Sequence, residues 1–532
     1  MRLDRAFIER ITDDPGLPTT PLAGTWGRDA RHVYSKQQPW NSDNTLLTIE
    51  NRDGGSPTPL ILDGASYRPK FTPCADYQFY DYRWHPSPLH PHEQINVDPT
   101  GTELMWFDVV DCVKTRSWKL PITVDFGIGS GEGNPSNDGR FVALGNDSAM
   151  FVVDMDPRPP LPAYPNRRIG PVYRFPPCSL STNCMIGNLS ISPSGRYVDV
   201  KYSSGNDSSD ISPDLHRIYE VDSATLALKP HNMLVCSMRC GPFALRPNGW
   251  IFPLKHADMT LNPFDNNEDV IIGGRSCPGT SIGRVDMVRL RDGRVTVLTD
   301  PKNEAPVSHV STRNLDRPGW AYVSYFKAKG RCFSDEIVAV KIDGSRTVER
   351  LAHKHSVTTG CYRCESHPVP SRDGRRVLWA SNWAESCSPC GPPGAVAAYV
   401  VDVGRPQPPP GIGPRVTTAA KPAGDAAPVA GDGSTRAGEL PEFSARIYPS
   451  PMRDRSVLSF STTRRGPVLV RLFDLAGRVV RVLVQEPDLA AGRHDVVIDG
   501  RDDRGQPLQP GVYLYRLRAR EGSLTGNCVI LR

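Results

Sequence analysis

Two Cys-x-x-Cys pairs, Cys361/Cys364 and Cys387/Cys390, bracket a turn-containing segment, CYRCESHPVPSRDGRRVLWASNWAESCSPC. Four thiolates at this spacing suit a tetrahedral zinc ion, and the same four suit disulfides. Neither pair opens a helix that would lower a thiol pKa, which argues against a redox-active Cys-x-x-Cys. The neighbouring sequence is rich in imidazole and guanidinium: His309, Arg313, Asn314 and Arg317 in SHVSTRNLDR, His353 and His355 in LAHKHSV, and His367. Neutral imidazoles can hold a divalent ion, and arginine can clamp a carboxylate. The plainer reading makes these residues hydrogen-bonded loop or core groups.

Other candidates carry less. HPSPLHPHE (His85, His90, His92, Glu93) is metal-capable but reads as a proline-rich surface loop. NPFDNNED (Asp265, Asn267, Asp269) offers oxygens for calcium without the glycine and distal glutamate of an EF-hand loop. Asp499, Asp502 and Asp503 read as turn formers. The chain has no G-x-x-x-x-G-K-[ST], no G-x-S-x-G and no H-E-x-x-H.

The elements that must position these residues repeat. A strand, a polar turn and a second apolar strand recur as NSDNTLLTIEN, DPTGTELMWFDVV, NDGRFVALG, SPSGRYVDVKY, RPNGWIFPL, DRPGWAYVSYF and SRDGRRVLWASNW, mostly about 55 residues apart. RIYEVDSATLALKP, VDMVRLRDGRVTVLTD and EIVAVKIDGSRTVERLA add strand–turn–strand units between them. A unit of that length suits a four-stranded blade with long loops. Residues 405–440 are mainly Pro, Ala and Gly with little to bury, and read as a linker. Residues 441–532 alternate apolar and polar positions with frequent turns, as a small β-sandwich does.

Composition agrees. A chain of 532 residues exceeds one ordinary core, and 52 prolines with 46 glycines favour short strands over helices. Sixty-three basic against 58 acidic residues, without a basic run, give nucleic-acid binding no electrostatic footing. No apolar run is long enough for a transmembrane helix. Twelve of the 13 cysteines precede residue 400, and so many suggest an oxidising compartment. The first residues lack the apolar stretch of a secretory signal, so the expectation is a true start upstream of Met1.

SPSGRYVDVKY and SRDGRRVLWASNW resemble the signature of TolB-like, WD40-like (PD40) β-propellers. The last 90 residues, through YPSP, FDLAGRVVRVL, AAGRHDVVIDGRDDRG and PGVYLYRLRA, resemble FlgD-type Ig-like domains and type IX secretion sorting domains, with Ile498 where a tryptophan is usual. The resemblances imply an all-β chain: a seven-bladed propeller (six or eight blades being the alternatives) over 1–404, a linker over 405–440, and an Ig-like sorting or attachment domain over 441–532. They also imply export and contact with sorting machinery.

In a propeller of this kind, loops entering innermost strands and leaving second strands share one face. That places Cys361, Cys364, Cys387 and Cys390 together, with Cys74, Cys178, Cys184, Cys236, Cys240, Cys277 and Cys332 on the same face as disulfide candidates. His309, His353, His355 and His367 then approach the central opening with Arg313, Asn314 and Arg317. The expected function is a secreted or cell-surface binding protein, monomeric, taking a carbohydrate or protein ligand at this face. The alternative is an extracellular enzyme similar to propeller polysaccharide lyases such as the oligogalacturonate lyases. It would use a divalent metal (Zn, Mn or Ca) on His309, His353, His355 or His367, with Arg313 as clamp. No cofactor is required by the first reading.

Overall fold

The computed structural model describes residues 7–77, 82–128, 132–155, 168–175, 185–203, 215–231, 250–251, 254–275, 283–299, 304–358, 361–383, 395–403, 443–448, 452, 455–474 and 478–531. Two compact units divide the chain, Met1–Val403 and Gly404–Arg532. Among the described residues there is no α-helix, and no helix is long and apolar enough to cross a membrane.

The first unit is a succession of sheets built mainly from consecutive antiparallel strands, with one parallel pairing, Asp29–Ala30 against Val396–Ala397, that joins the first group to the last. After β1 (Phe7–Arg10) come β2 (Asp29–Arg31), β3 (Leu46–Arg52), β4 (Leu60–Asp63) and β5 (Pro69–Phe71). A second group is β6 (Glu93–Val97), β7 (Glu103–Asp108) and β8 (Val113–Lys119), followed by β9 (Phe141–Gly145), β10 (Ala149–Asp154), β11 (Arg168–Ile169) and β12 (Tyr173–Arg174). Next are β13 (Met185–Ile191), β14 (Tyr197–Ser203), β15 (Leu215–Val221), β16 (Leu228–Pro230) and β17 (Trp250–Ile251). Two regular four-stranded sheets follow: β18 (Leu254–Asn262), β19 (Glu268–Arg275), β20 (Arg284–Arg289) and β21 (Val295–Val297); then β22 (Val307–Ser311), β23 (Trp320–Tyr325), β24 (Glu336–Lys341) and β25 (Val348–His353). The last group is β26 (Val369–Pro370), β27 (Arg376–Ser381) and β28 (Val396–Asp402), and β1 completes it by pairing with β28 from Phe7↔Asp402 to Arg10↔Tyr399.

Local sequence explains the strand pairs. Gly101, Gly139, Gly195, Gly319 and Gly374 all take positive φ at their turns, a conformation that a Cβ would penalise. The strands they join are buried on both faces, as in β22 (Val-Ser-His-Val-Ser) and β27, because each sheet is covered on two sides. Val270 and Ile272 of β19 share a core with Val310, Val323 and Val338. Trp379 and Tyr399 share one with Tyr322, Ile337 and Ala339. The packing also joins last to first, since Leu378, Ala398 and Val400 pack with Leu47, Ile49 and Leu60. Consecutive sheets stacked face to face, with the last returning to the first and the N-terminal strand completing the last, define a β-propeller.

The second unit holds β29 (Ser444–Tyr448), β30 (Ser456–Thr462), β31 (Gly466–Phe473), β32 (Val479–Leu489), β33 (Gly492–Ile498), β34 (Gly511–Ala519) and β35 (Gly522–Ile530). They form two antiparallel sheets, β29-β30-β33 and β32-β31-β34-β35. Leu458 and Phe460 from one sheet and Val470, Leu472, Tyr515 and Leu517 from the other share one core. Asp499 and Asp502 accept backbone N–H groups of their own turns, as short acidic side chains do.

Candidate functional site

The innermost segments of the first unit carry a cluster of histidines, and irregular backbone aims them. The register of β18 against β19 shifts between Lys255 and Asp258, and His256 inside that shift has φ 49°. The register of β22 shifts between Val307 and His309. His367, two residues before β26, has φ 40°. A bulge re-aims a side chain, and a non-glycine residue at positive φ costs about 1–3 kcal/mol. Together they converge: the His256 and His309 ring centroids lie 4.2 Å apart, and those of His309 and His367 4.3 Å. Tyr34 packs edge-on against His309 and His367 and bonds to His256 Nδ1 at 3.0 Å.

At the centre sits Glu365, whose Oε2 is 3.4 Å from His309 Nε2 and 3.5 Å from His367 Nε2. These separations are too long for good hydrogen bonds. Both Nε2 atoms are buried and have no hydrogen-bond partner among the described residues. The three atoms lie within 4.8 Å of one another. Burial holds both imidazoles neutral, far below their ordinary pKa.

Arg31 organises His367. It is fully buried and uses every N–H: Nε donates to His32 O, Nη1 to Arg363 O and Glu365 O, and Nη2 to Val33 O and to His367 Nδ1 at 2.7 Å. A guanidinium cannot accept, so His367 Nδ1 must, and the neutral ring carries its proton on Nε2. His309 is less constrained, because its Nδ1 meets the Ser308 hydroxyl at 2.9 Å, a group able to donate or accept. His32 Nε2 bonds to the carbonyl of His367.

A turn braces Glu365. Tyr362–Cys364 form a 3-10 turn closed by a Cys361–Cys364 disulfide, and Arg363 pairs with Asp29 at 2.5 Å and Glu50 at 2.8 Å. Tyr362 is exposed beside His367. Glu132 is bonded by Lys36 at 2.8 Å, with Lys201 at 3.9 Å. Burial opposes its charge, but Lys201 and Lys36 outweigh burial and hold the carboxyl below its ordinary range.

Of the residues proposed from sequence, His309 and His367 meet. His353 and His355 take other neighbours: His353 is half-exposed, 4.0 Å from Glu336, and the His355 ring lies against Trp383. Arg313 is a carboxylate clamp, but on the protein's own Asp258, at 2.9 and 3.1 Å. Asn314 donates to the carbonyls of Arg317 and Trp320, while Arg317 pairs with Glu349 and bonds Tyr322. Bonded to each other, Cys361 and Cys364 have no thiolates to give a zinc ion. Cys74 pairs with Cys112, and Cys332 is free and exposed. Cys178, Cys184, Cys236, Cys240, Cys277, Cys387 and Cys390 lie outside the described residues.

Asp265 pairs with Arg289, and Asp269 accepts from Ser194, which leaves the calcium reading little free oxygen. His85, His90 and Glu93 do cluster, yet His85 Nδ1 accepts the Ser87 N–H and His90 pairs with Glu93. Sequence reasoning missed Arg31, His32, Tyr34, Glu132, His256 and Glu365. One signal was available: His256, His309 and His367 recur at 53 and 58 residues, close to the repeat length.

No family model and no curated protein matches the chain. Solved structures do. An oligogalacturonate lyase in complex with manganese aligns over 75% of this chain and 97% of that one, at 12% identity and TM-score 0.42. The Cps50 (Swd1) β-propeller domain of Myceliophteria thermophila aligns over 70% and 98%, at 12% and 0.36. PorZ, a surface component of the type-IX secretion system of Porphyromonas gingivalis, aligns over 96% and 57%, at 12% and 0.33. The class of the first unit, a β-propeller, rests on its own strand order and packing.

Proposed function

We propose that this chain is a secreted or cell-surface binding protein: a seven-bladed propeller that takes its ligand at the His309–Glu365–His367 mouth, followed by an Ig-like sorting or attachment domain. The blade number is supported by the ring of shared cores, in which each sheet packs on the next and the last on the first. The Ig-like assignment is supported by two sheets over one core and by the sequence motifs of residues 441–532.

One observation carries the binding reading. Two buried imidazole nitrogens stand unpaired around one carboxylate, and buried polar groups are rarely left unpaired. The set offers a donor at His367 Nε2, an acceptor at Glu365 and an adaptable partner at His309. A hydroxyl donates and accepts at once, so a carbohydrate suits this site better than a purely anionic group.

A metal-dependent, lyase-like enzyme is the second reading, favoured by three ligand atoms within 4.8 Å. His309 and Glu365 fit a divalent ion. His367 would first have to lose its Nε2 proton, because Arg31 occupies Nδ1. The site therefore offers one unreserved imidazole and one carboxylate, fewer than the three protein ligands typical of a catalytic zinc.

Glycan-array screening of the full chain, repeated on Glu365→Gln, separates the readings when paired with elemental analysis. Saturable glycan binding that Glu365→Gln weakens, with substoichiometric metal, is the expected result. Stoichiometric metal lost in His309→Ala, with turnover of acidic oligosaccharides, would replace it with the enzyme.

A further inference from the structure

Apolar side chains exposed singly are ordinary on a protein surface, so an exposed ring points to a ligand only through what holds it and what surrounds it. Among the described residues the large exposed aromatics are Phe264, at 52%, and Tyr362, at 63%. Phe264 is already occupied, since Lys341 Nζ stands 5.2 Å from its ring centroid. The ring neighbour of Tyr362 is His367 of the mouth, at 5.7 Å and tilted by 59°.

The backbone that carries Tyr362 is fixed on both sides. Cys361 and Cys364 are bonded across it, and the Glu365 N–H donates to the Tyr362 carbonyl. Arg363 pairs with Asp29 and Glu50, and the Ser356 hydroxyl donates to the Cys364 carbonyl. With the chain held, only two side-chain torsions remain, so the ring loses little freedom when a ligand settles on it.

Its surroundings are polar and of both signs. His367 and Glu365 lie on one side of the turn, and Glu132 is held by Lys36 at 2.8 Å with Lys201 at 3.9 Å. Partial burial raises the Tyr362 hydroxyl pKa, and Glu132 and Glu365 add to the rise, which puts the phenol end among these groups while the ring stays open. A sugar ring has an apolar C–H face and a rim of hydroxyls that donate and accept. An open aromatic face edged by carboxylates, an ammonium group and imidazoles is its complement.

We infer that Tyr362 is a stacking platform, on which a pyranose ring lies while its hydroxyls turn to Glu365 and Glu132. This role rests on the carbohydrate reading of the mouth and adds a residue that reads the sugar ring itself rather than its hydroxyls.

Isothermal titration of the full chain with cellotetraose, mannotetraose and xylotetraose tests it. The parent binds at least one of them, and Tyr362→Phe and Tyr362→Trp keep that affinity within about twofold. Tyr362→Leu retains apolar area but no ring face, and weakens binding by about three- to tenfold with an unchanged melting temperature. Full affinity in Tyr362→Leu, or equal losses in Tyr362→Leu and Tyr362→Phe, overturns the platform. If Glu365→Gln still weakens binding in that case, the carbohydrate reading survives without it. No binding of any of the three by the parent overturns both.

Discussion

At the scale of single residues, the propeller interior depends on groups that must stay in one protonation state. His32 and His85 are pushed down to about 3, both by burial first, with Arg31 adding to the effect at His32 and His90 at His85. In the unfolded chain both titrate near 6.5. Between pH 6.5 and 3 the unfolded state thus binds protons that the folded state refuses. Stability is fully present above pH 6.5 and falls as pH drops through that window. Each histidine removes about 2 kcal/mol between pH 7 and pH 5. Urea unfolding at the two pH values reads this directly, and equal midpoints would contradict it. Arg31 is the other sensitive residue. Arg31→Met leaves four carbonyls and His367 Nδ1 without their donor, and costs about 3 kcal/mol or more. A urea midpoint close to that of the parent would show that water replaces the guanidinium without penalty.

At the scale of elements, two cross-links differ in what they close. Cys74–Cys112 spans 38 residues and Cys361–Cys364 only 3. Loop-closure entropy assigns about 4 kcal/mol to the first and about 1.5–2 kcal/mol to the second. Cys112→Ala should therefore destabilise the propeller more than Cys364→Ala, whereas Cys364→Ala should weaken ligand binding more, because Glu365 follows directly. The reverse order in denaturation and binding assays would reject this division. Sequence made the strand–turn pairs legible because their causes are local: a glycine at positive φ, as at Gly195 and Gly374, between alternating β-branched runs. It could not show that Arg313 already pairs with Asp258, which stands 55 residues earlier on another sheet. Nor could it show that Glu365 rather than His353 or His355 completes the cluster, because bulges and a 3-10 turn, not the repeat, decide where those side chains point.

At the scale of the molecule, two units with separate cores should melt separately. Limited proteolysis is expected to cut within residues 404–442, where composition offers little to bury, and to release two folded fragments. A single cooperative transition insensitive to that cut would argue against independence. The all-β expectation and the propeller are what the chain shows as a whole. Deleting residues 1–11 should leave Tyr399–Asp402 of β28 unpaired on one flank, while Val396–Ala397 keep β2, and should lower the melting temperature of the first unit only, as scanning calorimetry would show.

The same pairing has a mechanical meaning. β28 runs antiparallel to β27 over Arg376–Ser381 and to β1 over Phe7–Arg10, and its last residues lead into the segment toward the second unit. If that second unit is the attachment point, tension from a ligand held by the propeller enters along the axis of β28. Every hydrogen bond on both flanks then shares the pull at once instead of opening in sequence. Tension applied at Phe7 loads a single flank, because β1 is an edge strand bonded to β28 alone. Force spectroscopy from the two ends should record a high rupture force through the C-terminal side and a low one through the N-terminal side.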